Sequence, residues 1–177
     1  PPYAFILPPE QHDWVTAYKL LRMLQDADVE IHQAKEELKS EGVTYPAGTY
    51  VVFTSQTCRP YVLRLLKQTF YHDGPWSRRP DGTPLPPYDI ATNTLAEFMG
   101  VNFIEASKPV KGSFELCEPI EPLKGTVEGS EKDYILDGRL NESFAVVCSL
   151  LRKGKIVYRV LDRVGELPVG SFYIPVQ

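Results

Sequence analysis

Apolar residues fall in two rhythms along this chain. Compact runs such as "YAFIL" (Tyr3 to Leu7) and the "YVVF" of "YPAGTYVVF" predict buried strands. Between them the spacing changes. Ala17, Leu20, Leu21 and Leu24 recur at i, i+3, i+4 and i+7, one face of a helix, with Asp13 placed to cap it. "VEIHQA" then reads as a short strand. The charged stretch "KEELKSEG" reads as one or two helical turns ending near Gly42.

The C-terminal part follows the same order. "YILDG" is a strand beginning at Tyr134, Asn141 can cap a helix, and Phe144, Val147, Cys148 and Leu151 share its face. "GKIVYRV" is a strand. "LPVGSFYIPV" then matches "YPAGTYVVF" at Pro46, Gly48, Thr49 and Tyr50 against Pro168, Gly170, Ser171 and Phe172. Leu150-Leu151 echoes Leu20-Leu21. The pattern predicts two related βαβ-type units, residues 1–53 and 134–177, within a single domain.

Residues 54–133 differ. "PYVLRLLKQTF" is a helix with Pro60 at its first position and Val62, Leu65, Leu66 and Thr69 on one face. "YHDGPWSRRPDGTPLPP" is a long loop. There Tyr61, Tyr71, Trp76 and Tyr88, with Arg78, Arg79 and Asp81, either anchor the loop or present a surface; anchoring is favoured. A short helix follows, capped by Asp89 and ending before Gly100. "VNFIEA" is a strand, and Lys108 to Asp133 is hairpin or irregular. Strands alternating with helices predict an α/β three-layer sandwich with a mainly parallel sheet. In such sheets ligands sit beyond the carboxyl ends of the strands. That points to the loops Pro8 to Asp13, Thr54 to Pro60 and Asp137 to Asn141.

Composition narrows the classes. The chain has 177 residues, 43% hydrophobic and 24% charged, with net charge −4. That suits a globular domain with its own core. Charges are interleaved, so no basic stripe points to nucleic acid and no polybasic patch to a membrane. No apolar run is long enough to span a bilayer, and no signal peptide is recognisable. The first residue is Pro1 rather than methionine, which reads as a processed or excised chain. The three cysteines, Cys58, Cys117 and Cys148, lack metal-ligand spacing; one disulfide is possible, and three buried or half-buried thiols are the favoured reading.

Cys58 is the most provocative position, sitting between a strand and a helix where some hydrolases present a nucleophile. A nucleophile elbow wants small residues two before and two after. Gln56 and Pro60 stand there instead. His12, His32 and His72 offer no His-x-Glu spacing, so a packed or capping thiol is the favoured reading over catalysis. No zinc motif and no glycine-rich phosphate loop occur, and neither metal nor cofactor is expected in this chain. A small-ligand module would use Gln56, Arg59, Asp89 and Asn141 as polar contacts.

Several phrases together carry a resemblance: "YAFILPPEQHD", "EIHQAKEELKSEGVTYPAGTYVVFTSQTCRPYVLRLL", "PYDIATNTLAEFMGV" and "SLLRKGKIVYRV". They resemble the domain that follows the catalytic unit in a branch of bacterial M14-type zinc carboxypeptidase-like proteins. That resemblance implies a flavodoxin-like, class I glutamine amidotransferase-like fold without that fold's catalytic constellation. It implies a non-catalytic accessory domain that packs on the parent's catalytic domain or helps bind substrate, a small ligand or peptide. Zinc would then belong to the absent catalytic domain, and a periplasmic or secreted setting is implied. The alternatives are a ligand-binding module at the strand-end loops and a thiol-dependent amidotransferase-like enzyme using Cys58.

Overall fold

The computed structural model describes residues 1–70, 72–86, 94–129, 133–163 and 168–176. The first strand, β1 (Ala4–Leu7), is wholly buried and leads to helix α1 (Trp14–Asp26). Asp13 caps α1 as its position implied, accepting from Thr16 N–H at 2.9 Å. Next come β2 (His32–Ala34), β3 (Leu38–Ser40), β4 (Val43–Tyr45) and β5 (Tyr50–Phe53). Helix α2 (Arg59–Leu66) has Pro60 in its first turn, and α3 (Leu95–Phe98) is one turn long. A 3-10 turn follows α2 at Pro75–Ser77, and further along the described residues come β6 (Ile104–Ala106), β7 (Phe114–Leu116), β8 (Asp133–Leu136), α4 (Asn141–Arg152), β9 (Tyr158–Arg159) and β10 (Phe172–Pro175).

The expected mainly parallel, flavodoxin-like sandwich is wrong. The main sheet has the order β6-β1-β5-β2-β7, and every adjacent pair in it is antiparallel. β1 and β2 do run in the same direction across α1, as a βαβ unit would have them. They are not neighbours, because β5 lies between them and pairs with both. A 15-residue return from β2 to β5 makes this possible, since a strand that folds back can enter the gap its predecessors leave.

Side chains alternate about this sheet. Phe5, Leu7 and Val52 point to one face and pack with Leu20, Leu21 and Leu24 of α1 and Val62, Leu65 and Leu66 of α2. Thr69, expected on that helical face, lies beyond the end of α2 and is exposed. Ala4, Ile6 and Val51 point to the other face and meet Leu38 and Tyr45. Each large apolar side chain so buried contributes roughly 1.5–3 kcal/mol. The stretch "KEELKSEG" is therefore not helical. It forms the β3–β4 hairpin, turning at Glu41 and Gly42 with φ of 50° and 85°. Positive φ at both turn positions matches the twist of a two-residue hairpin. Leu38 and Ser40 alternate inward, and that tertiary burial overrides the helix propensity of the charged residues.

The C-terminal sheet has the order β8-β10-β9, again antiparallel throughout. It reproduces the β1-β5-β2 arrangement residue for residue. Leu7 pairs with Tyr50 and Leu136 with Phe172; Gln33 pairs with Tyr50 and Arg159 with Phe172. Gly48 N–H donates to Ala34 O and Gly170 N–H to Val160 O, both at 2.8 Å. The two glycines have φ of 88° and 91°, a conformation that costs other residues strain. At the helix ends, Leu24 O accepts from Ala27 and Val29, and Leu150 O from Lys153 and Lys155. Leu150 thus corresponds to Leu24, one turn away from the Leu20-Leu21 match that sequence alone suggested. The repeated unit is strand, helix, strand and an inserted return strand, rather than a βαβ unit.

Candidate functional site

The antiparallel sheet decides which expected site residues can meet. β5 runs opposite to β1, so the loop after β5 lies at the start of β1, where Thr54 Oγ1 donates to Pro2 O at 2.7 Å. Gln56, Cys58 and Arg59 therefore sit at one end of the sheet, and the loops Pro8 to Asp13 and Asp137 to Asn141 at the other. Gln56 Nε2 donates to Glu30 O at 3.3 Å, and Gln56 Oε1 accepts from Glu30 N–H at 2.9 Å. Arg59 Nη1 reaches Thr54 O at 3.4 Å. Both side chains tie the loop to itself and to its neighbour. Asp89 lies outside the described residues.

Cys58 precedes α2, and its thiol faces two backbone carbonyls, Ala27 O at 3.5 Å and Asp28 O at 3.7 Å. Those contacts hold the thiol in place against the α1–β2 connection. Among the described residues, no group of three or more His, Cys, Asp or Glu side chains is arranged to hold a metal. No described helix is long and apolar enough to cross a membrane. His32 lies edge-on to Phe53 with ring centroids 5.1 Å apart, and its Nδ1 is buried without a hydrogen-bond partner. In the long loop, Arg78 pairs with Asp73 and Trp76 stands 93% exposed, so this tryptophan does not anchor the loop as expected.

Asn141 is at the informative end. It is the first residue of α4 rather than its cap, a place taken by Leu140. Its backbone N–H donates to Asp13 Oδ2 at 2.8 Å, and its Nδ2 to Thr16 Oγ1 at 3.0 Å. Burial pushes the Asp13 carboxyl up, but hydrogen bonds from Asn141, Thr16 and Val15 outweigh it and hold the group below the usual carboxylate range. Lys19 pairs with Glu142 nearby. This joint fastens the N-terminal end of α1 to that of α4.

Two hollows open on either side of α1 beside the joint. One, about 390 Å³, is lined by Leu7, Pro8, Pro9, Trp14, Tyr18, Gln33 and Tyr50 among others. The other, about 620 Å³, lies between α1, the segment Ile120 to Thr126 and α4. Trp14 and Tyr18 line both, and form the ridge between them. Their rings meet edge-on at 6.1 Å, and Tyr18 meets Tyr50 edge-on at 6.0 Å. Tyr50 donates its hydroxyl hydrogen bond to Tyr18 at 3.1 Å. Burial, with that bond second, pushes the Tyr50 phenol well above its ordinary value. Gln11 is occupied by Pro8 O and Asn102 O, and Gln33 by Gly48 O at 3.1 Å. Trp14 is 46% exposed, a large ring left in water.

Sequence reasoning passed over Trp14, Tyr18, Gln33 and Tyr50. The signal available was Trp14 and Tyr18 at i, i+4, beside rather than on the apolar stripe of α1. No family model matches the chain, and no curated protein or solved structure is significantly similar to it.

Proposed function

We propose that this chain is a non-catalytic binding module that holds an extended peptide across the Trp14–Tyr18 ridge. The exposed ring of Trp14, standing between two hollows beside Tyr18 and Tyr50, carries this reading. Aromatic-lined grooves suit proline-rich extended peptides, whose preformed backbone loses little entropy on docking. A sugar fits less well. Each of its hydroxyls wants a partner, and in the smaller hollow Gln33 is bonded to Gly48 O and Tyr50 to Tyr18. The sequence resemblance to the domain following M14-type zinc carboxypeptidase-like catalytic units implies the same role, although the fold it implied is not the one found. An accessory domain of that kind would hold peptide near the parent's catalytic domain, or pack on it.

The test is Trp14 emission in a Trp76→Phe background. A blocked hexapeptide containing proline, an aromatic residue and arginine is titrated, with maltohexaose in parallel. Saturable change with the peptide alone is expected. A response to the sugar alone would make this a glycan module, and no response to either would remove the binding reading.

A further inference from the structure

The internal repeat sets two versions of one aromatic corner side by side. The β2–β5 and β9–β10 registers match Gln33 with Arg159 and Tyr50 with Phe172. The helix-end bonds match Leu24 with Leu150, and six residues back along each helix this matches Tyr18 with Phe144. The matched rings keep their geometry. Tyr18 and Tyr50 are edge-on at 85°, Phe144 and Phe172 edge-on at 86°. What differs is the side chain beside them. In the C-terminal unit, the guanidinium carbon of Arg159 lies 5.7 Å from the Phe144 centroid and 5.3 Å from that of Phe172. In the N-terminal unit the shorter, neutral Gln33 lies against Gly48 much as Arg159 lies against Gly170, and donates to Gly48 O.

We propose that the Tyr18–Tyr50 corner binds the guanidinium of an arginine side chain carried by the peptide. This inference rests on the peptide-binding reading above and names its specificity. The C-terminal unit shows that this ring geometry seats a guanidinium. The N-terminal unit keeps the rings, replaces the resident cation with an amide and leaves a hollow of about 390 Å³ beside them. A cation over an aromatic face is attracted by the ring quadrupole, and a planar guanidinium also stacks. The net charge of −4 favours the approach of a cation.

The test uses blocked tripeptides that differ only at the central residue: arginine, or the neutral isostere citrulline. Binding is read by calorimetry and by the chemical shift of the Gly48 amide. The arginine peptide should bind roughly tenfold more tightly than the citrulline peptide. Gln33→Arg supplies a resident guanidinium and should abolish that preference without lowering the melting temperature, because Arg159 is accommodated at the matching position. Tyr18→Leu should abolish it too while keeping a good helix former in α1. Equal binding of the two peptides overturns the arginine assignment and leaves peptide binding standing. Binding of neither overturns both. An undiminished arginine preference in Gln33→Arg also overturns the assignment.

Discussion

The carboxylate of Asp13 serves two helices: it caps α1 through Thr16 N–H and accepts the backbone N–H of Asn141, 128 residues further along the chain. It is 5% exposed, so it holds its charge almost out of water. Removing it leaves one helix uncapped and the N–H of Asn141 without its partner. Asp13→Ala should lose about 2–3 kcal/mol, more than a cap alone, by urea denaturation. Asn141→Ala removes only the side-chain bond to Thr16 and should lose about 0.5–1.5 kcal/mol. Equal losses would mean that the carboxylate does not join the helices.

The same carboxylate fixes an acid dependence. Its folded pKa lies below the unfolded value, so its contribution is complete above about pH 4 and fades as pH falls through the folded pKa. Wild-type stability should drop on acidification below about pH 4. The Asp13→Asn variant should be less stable at neutral pH and show a shallower acid limb. Parallel limbs in the two proteins would place the acid sensitivity elsewhere.

Gly138 lies where the C-terminal unit turns toward α4. A Cβ there would overlap the backbone carbonyl of Gly170 and approach Ser171 N to 3.0 Å. Backbone cannot swing aside as a flexible side chain can. Gly138→Ala should cost more than about 2 kcal/mol, while Gly125→Ala, with nothing within 4 Å, should be nearly neutral. Comparable melting temperatures for the two variants would contradict this packing.

The thiols should react in a set order. Cys148 is exposed, whereas Cys117 is half-buried, and burial, with Glu115 second, pushes its thiol up to about 11. Since the thiolate is the reactive form, Cys148 should be alkylated first and Cys117 far more slowly at pH 8. Mass spectrometry of a timed iodoacetamide reaction separates the two, and fast labelling of Cys117 would show that it is not enclosed.

Strands and helices were legible wherever an apolar run or a 3.6-residue period was strong. β1, α1 and, Thr69 apart, the buried face of α2 stand where the pattern put them. Strand direction was not legible, because apolar runs look alike in either sense. Whether β5 returns beside β1 or runs parallel to it depends on a pairing that no local window contains. That one fact separated Gln56 and Arg59 from Asn141 and dissolved the expected site. The β3–β4 hairpin was hidden by charged residues of high helix propensity, although Leu38-Lys39-Ser40 alternates as a strand does. The aromatic corner is assembled from α1, β2 and β5, so it emerges only after folding.

The duplication also gives the molecule its own reference signal. Gly48 and Gly170 donate the same hydrogen bond, at the same 2.8 Å, in matching turns beside the open and the occupied corner. Both amides share one tube, one pH and one temperature. A ligand entering the N-terminal corner moves one glycine resonance and leaves the other still. A change of buffer or temperature moves both. Their difference reports occupancy without a second sample.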